Sequence, residues 1–471
     1  MDASAAAPDV FATWLALLPP ALAIVLAMAT RAVHLSLFAG LWLGWSLLAG
    51  DPLAGLAAAI DALVHVLGDP GDARVVLFSA LVGAFIALTQ RNGGVGGLVA
   101  RLVHGRIVAT RRRALAFSSF IGVVIFIESS ITSLVTGAVS RPIFDRLRIS
   151  REKLAWICDA TAAPVCILIP LNAWGAWVTS LLAKEQVADP LGVFVASIPL
   201  NLYAWLTVAF VFVMTVWFQR DFGPMRTAER RAADAVAIPT IEATEPLAAD
   251  TPTGRARDFV VPLLVLIGMM PVGLLITGRG DMLAGSGSTA VLWAVLAAIA
   301  VATILGLARR TLTPATARTA IWHGIGGLVP LAALMMLAFA LGAVAKKLGL
   351  GPWVVAAFSD TMSAIVVAPA IFAAGAVISF ATGTSWGTFA LLMPLALPLG
   401  AAAGLPPELA LAAVLSGGVF GDHCSPISDT TLIASLAAGC DPIDHVRTQL
   451  PYALAVAALT AVGFAVLAAI L

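Results

Sequence analysis

Charge is what this chain has least of. Only 11% of its 471 residues are Asp, Glu, Lys or Arg, against roughly 25% in an ordinary soluble domain, while 60% are hydrophobic. A water-soluble globular fold is excluded on that ground alone. The net charge of +1 points to no acidic partner, and the absence of a long basic run interleaved with aromatics argues against nucleic acid. Cysteine is scarce too. Cys158, Cys166, Cys424 and Cys440 show no CxxC spacing, and His423 beside Cys424 is no ligand pair, because neighbours on a helix point about 100° apart. They read as small packing residues. No GxxxxGK[ST] loop is present, which speaks against ATP-driven chemistry, and "GGVGG" at Gly93 to Gly97 lacks the strand and acidic partner of a nucleotide fingerprint. No HExxH motif is present either, and an enzyme is not expected.

What is abundant is apolar sequence. Runs near the roughly 20 residues that cross a bilayer recur throughout, among them Phe11 to Ala29, Leu191 to Phe218, Phe259 to Thr277, Ala290 to Ala308 and Leu450 to Leu471. Lipid cannot satisfy open backbone groups, so the runs predict an all-α polytopic membrane protein. The first run has no basic flank and no convincing cleavage site, and it is expected to stay as a helix rather than be removed as a signal peptide.

One long hydrophilic stretch, 220–258, is rich in Ala, Thr, Pro and charge and reads as a flexible cytoplasmic linker. It separates two apolar halves, 1–219 and 259–471, that carry similar blocks in matching order. "FIESSITSLVTGAVSRP" from Phe126 is answered by "FATGTSWGTFALLMPLA" from Phe380, and "CDATAAPV" from Cys158 by "GDHCSPIS" from Gly421. Five arginines between Arg101 and Arg113, and the basic cluster from Arg141 to Lys153, mark cytoplasmic loops; Asp51, Asp61, Asp69 and Asp72 mark the opposite face. Residues 114–140 lie between two basic loops and are too few for two crossings. A re-entrant hairpin is expected there, with a polar tip at Glu128, Ser129, Ser130 and Thr132. The repeat places a second hairpin at 368–394, its tip at Thr382, Gly383, Thr384 and Ser385, and two broken helices at 154–182 and 409–438. An inverted repeat leaves Lys346 and Lys347 outside, against the charge rule.

Ionisable side chains inside a membrane cost about 2.5–3.5 kcal/mol each on insertion scales, and therefore usually mark a transport path. Glu128, Asp159, Asp422 and Asp429 are the candidates; Asp159 and Asp422 could instead cap half-helices ended by Pro164 and Pro426. A broken helix frees carbonyls that, with hydroxyls and a carboxylate, complete the oxygen shell of a hard cation. Thr161, Ser425 and Ser428 supply further hydroxyls. His423 could relay protons or simply be hydrogen-bonded. Asn172, with Trp174 and Trp177, could line a site for an organic solute or belong to an interfacial belt.

With these residues in hand, the sequence resembles the NhaC family of sodium/proton antiporters, within the ion transporter superfamily. "GGVFGDHCSPISDTT" is similar to that family's most characteristic block, and "RPIFDRLRISREKLAWICDATAAPV" to its first-half counterpart. The resemblance implies two inverted repeats with about eleven transmembrane helices, two re-entrant hairpins and two broken helices, commonly a homodimer and in some cases an elevator. It implies a multi-pass protein of the bacterial inner (plasma) membrane with no cofactor, its partners being the bilayer and small ions or a small-molecule solute. Na+ and H+ would be the coupling ions, with Na+ at Glu128, Asp159, Thr384, Asp422 and Ser425 and with Ser129 and His423 assisting. One position departs from the family. Where many relatives resemble "FDDYAN" at the first tip, this chain has "FIESSIT", so an acid pair becomes Glu128 and Ser129. That departure keeps open an alternative cargo, an amino acid or small carboxylate moved with sodium or protons.

Overall fold

The computed structural model describes residues 13–30, 32–94, 96–97, 110–126, 129–170, 172–234, 254–281, 285–358, 363–426 and 428–471. Among them every regular element is helical. The first half comprises α1 (Leu18–Thr30), α2 (Val33–Ala49), α3 (Pro52–Gly68), α4 (Pro70–Arg91), α5 (Arg111–Val124), α6 (Ser129–Arg146), α7 (Arg151–Ala160), α8 (Ala163–Cys166), α9 (Ala173–Lys184), α10 (Pro190–Ser197) and α11 (Leu202–Phe212), the last prolonged by a π turn, Val213–Phe218. Then come α12 (Gly223–Asp234), α13 (Arg257–Thr277), α14 (Gly287–Ala308), α15 (Pro314–Lys347), α16 (Leu350–Phe358), α17 (Ala364–Thr382), α18 (Ser385–Ala402), α19 (Pro407–Cys424), α20 (Asp429–Ala438) and α21 (Pro442–Ile470).

Seven of these, α4, α13, α14, α15, α17, α18 and α21, are long and apolar enough to cross a membrane, and an eighth span arises if Pro190–Leu200 and Leu202–Phe218, bent by 42°, are taken together. The protein is a multi-pass membrane protein. Its helix starts are written in the sequence: Asp51 and Asp69 accept from Ala54 N and Asp72 N to cap α3 and α4, each with proline in the first turn.

Stretch 114–140 falls on α5 and α6, and 368–394 on α17 and α18. α17 and α18 are separated at Gly383, whose φ of 69° is one that only glycine adopts freely. Stretch 409–438 falls on α19 and α20 with an interruption at 425–428, and 154–182 on α7, α8 and α9. The two halves interlock, for α20 packs on α6 and α7, and α21 on α7. Small residues allow this closeness. A Cβ on Gly137 would lie 2.5 Å from Ala437 Cβ, and one on Gly421 only 2.3 Å from Ala376 O of α17.

The hydrophilic stretch 220–258 is structured at both ends. Met225, Ala228 and Glu229, spaced as one helical face, are buried where α12 packs on α7 and α21. Glu229 pairs with Arg111 and accepts from Ser150, Asp221 holds the fully buried Lys153 at 2.6 Å, and Asp258 pairs with Arg309. Buried cations and acids thus neutralise one another across the linker and the basic loops. Residues 235–253 lie outside the described residues.

Candidate functional site

Two carboxylates organise the polar interior. Asp422, in the last turn of α19 and 2% exposed, accepts hydrogen bonds on both oxygens: Ser385 Oγ donates to Oδ2 at 2.7 Å and Ser428 Oγ to Oδ1 at 2.6 Å. Ser385 opens α18 just beyond the interruption at Gly383, and Ser428 follows the break after α19. Two interrupted elements therefore clamp one acid. Thr384 caps α18, its Oγ1 accepting from Gly387 N, and Ser428 lies 2.9 Å from Thr430 Oγ1. A cavity of about 110 Å³ opens here, with Ser129, Thr384, Asp422 and Thr430 on its polar side and Phe78, Trp174 and Trp386 among its walls.

Asp159, 1% exposed, forms a second centre. Its Oδ2 receives Gln449 Nε2 at 2.9 Å and Thr431 Oγ1 at 3.3 Å, with His445 Nε2 at 3.3 Å and His423 Nε2 at 4.0 Å. His423 Nδ1 meets the Tyr203 hydroxyl at 2.8 Å, and Gln449 also donates to the His423 carbonyl. Asp422 and His423 are sequence neighbours, yet they serve different centres, because adjacent side chains on a helix diverge by about 100°. Among the described residues, Asp159 Oδ1, His423 Nε2, His445 Nδ1 and Gln449 Oε1 are buried with no hydrogen-bond partner.

The residues singled out in the sequence thus divide. Ser129, Thr384, Ser385, Asp422 and Ser428 gather at the first centre, and Asp159 and His423 at the second. Thr161 Oγ1 bonds back to Ile157 O, and Thr382 Oγ1 to Ile378 O. Ser425 donates to Phe380 O at 2.8 Å, which ties the break to α17, and Thr132 donates to Ile125 O. Asn172 caps α9 through Gly175 N and donates to Cys166 O and Phe126 O, a joining role. Glu128, and the side chains of Ser130 and Asp429, lie outside the described residues. His445, Gln449, Thr431 and Tyr203 were not anticipated. The spacing of His445 and Gln449, four apart and so on one face of the helix, was the available signal.

Gly383, Ser385 and Gly387 also satisfy the spacing GxSxG, but a nucleophile elbow needs a strand before the turn. Here a helix precedes it, and Ser385 is spent on Asp422.

On the face bearing Asp61, Asp69 and Asp72, two cavities of about 410 Å³ each share Asp69, Asp72 and Lys184, and Lys184 is ion-paired with Asp72. Lys347 lines one of them and stands 4.5 Å over the Trp45 ring. Phe339 lines that same cavity and Trp386 the Asp422 cavity, while Trp177 touches both rings, 5.3 Å from Phe339 and stacked at 6.0 Å on Trp386.

A family model described as the Na+/H+ antiporter family matches residues 183–469. An uncharacterized protein of Haemophilus influenzae (strain Rd) is 34% identical over 480 residues, which cover 96% of this chain and 90% of that protein. The malate-2H(+)/Na(+)-lactate antiporter of Bacillus subtilis (strain 168) is 40% identical over 90 residues, 19% of each chain. Among solved structures, the YdaH transporter of Alcanivorax borkumensis superposes with a TM-score of 0.59 at 17% identity, covering 88% of each chain, a likeness of fold.

Proposed function

This chain belongs to the Na+/H+ antiporter family, and on that premise we propose that it exchanges Na+ for H+ by alternating access, with Asp422 as the shared carboxylate. The clamp of Ser385 and Ser428 on Asp422 is the observation that carries the reading. An ionised carboxylate accepts both hydroxyls; protonation removes the charge that attracts a cation, so proton and cation compete for one group. The C-terminal end of α19 reaches this point through Asp422, and the partial negative charge of a helix C-terminus favours a cation. Glu128, next to Ser129 in the sequence, is the second candidate acid of this proposal, on sequence grounds. His423, facing Asp159 rather than the cavity, tunes the proton step. Trp177 stacks on Trp386 at the wall of the site, and the Lys184–Asp72 pair lines the two cavities of the acidic face. The homodimer and elevator movement implied by the resemblance belong to the same proposal.

A second reading, an organic solute as cargo, is favoured by the aromatic wall of Phe78, Trp174 and Trp386. Proteoliposomes decide between the two. Imposing a sodium gradient across vesicles loaded with a pH-sensitive dye should drive proton movement with no solute added. Saturable solute uptake, with no such proton movement in its absence, would replace the first reading by the second.

A further inference from the structure

The lining of the Asp422 cavity bears on the chemical class of its occupant, given the reading of that cavity as the transport site. Its volume of about 110 Å³ compares with roughly 30 Å³ for a water in the liquid, more room than one dehydrated sodium ion fills. Trp174 and Trp386 meet edge to face, with centroids 5.4 Å apart and planes at 65°, and form a corner that Phe78 adjoins. Asp422 supplies a negative charge that is 2% exposed and fixed by two hydroxyls. Among the described residues that line the cavity there is no lysine or arginine.

Each occupant makes different use of these walls. A carboxylate would meet Asp422 as a like charge, with no lining cation to offset it. A bare sodium ion would use the oxygens and leave the indoles and the aliphatic side chains of Leu328 and Leu331 unexploited. An ammonium ion carrying an alkyl group uses both: its N–H groups bond the carboxylate and hydroxyl oxygens, its charge is attracted to the faces of tryptophan rings, and its apolar part contacts the rest. We propose that the Asp422 cavity binds a small organic ammonium ion, with its nitrogen at Asp422 and its alkyl part in the Trp174–Trp386 corner.

The test is equilibrium binding to the purified protein in sodium-free nanodiscs, with n-propylammonium chloride as probe and potassium butyrate, which carries the same propyl chain on a carboxylate, as control. Calorimetry should show saturable binding of n-propylammonium and none of butyrate. Trp386→Leu should raise Kd about tenfold or more, and Trp386→Phe, which keeps a ring, about two- to threefold. No saturable n-propylammonium binding, butyrate binding of equal strength, or an unchanged Kd in both variants would overturn the proposal. Because no gradient or sodium is present, this result is separable from the exchange reading. Sodium-driven proton flux without ammonium binding overturns this inference alone, and ammonium binding without that flux supports it while removing sodium/proton exchange.

Discussion

His445 Nε2 lies 3.3 Å from Asp159 Oδ2 and joins the first turn of α21 to the end of α7. Gln449, one turn further along the same face, donates to the same oxygen at 2.9 Å and also to the His423 carbonyl. With Thr431 of α20 adding a third contact, a carboxylate of the first half is held by elements of the second. The two halves are thereby joined through a polar knot as well as through small-residue packing.

Gln449→Leu should destabilise the protein by about 1–3 kcal/mol, since a buried carboxylate oxygen and a buried carbonyl each lose a donor. Thermal unfolding in detergent reads this. The neighbouring exposed Arg447→Leu is the control and should leave the midpoint unchanged.

The polar interruptions of this chain were visible as sequence because ionisable and hydroxyl residues stand out in an apolar background. The glycine between α17 and α18, Gly383, was legible as a break in an apolar run, with its left-handed φ the physical cause. The division into two centres was not legible. "DH" at Asp422 and His423 reads as one polar spot, and only the helical rotation between neighbours sends one side chain to the cavity and the other to Asp159. His445 and Gln449 resembled the ordinary polar start of a terminal span. Asn172 looked like a solute ligand, while its amide is taken up by a helix cap and two carbonyls. In the linker, the face of Met225, Ala228 and Glu229 was concealed by the charges around it.

Gly421→Ala should be poorly tolerated. The added methyl would sit 2.3 Å from Ala376 O and 2.6 Å from Phe380 N, backbone atoms of α17 that cannot swing aside. Overpacking of this kind costs about 1–3 kcal/mol, and it would push α17 from the helix that carries Asp422. Gly326→Ala in α15 meets nothing within 4 Å and should be neutral. Paired measurements of thermal midpoint and transport rate check both.

Glu185, in the turn after α9, has its carboxyl pushed up to about 7 by burial, partly offset by the nearby Lys346 ammonium. A carboxyl whose folded pKa is raised contributes stability that is fully present below the unfolded value of about 4.5 and is lost as pH rises through about 7. Glu185→Gln should therefore raise the thermal midpoint at pH 8 and leave it nearly unchanged at pH 4.5. Because this residue is only partly buried, solvent screening keeps the effect modest.

The central claim is that the clamped carboxylate of Asp422 is where proton and cargo cation compete. Its most direct test is sodium-driven proton flux through Asp422→Asn in proteoliposomes, beside wild type at matched reconstitution and with folding confirmed by thermal midpoint. The side-chain amide keeps the size of the group and removes the titrating charge, so flux should fall to the level of empty vesicles. Flux equal to wild type, with the same pH profile, would contradict the account.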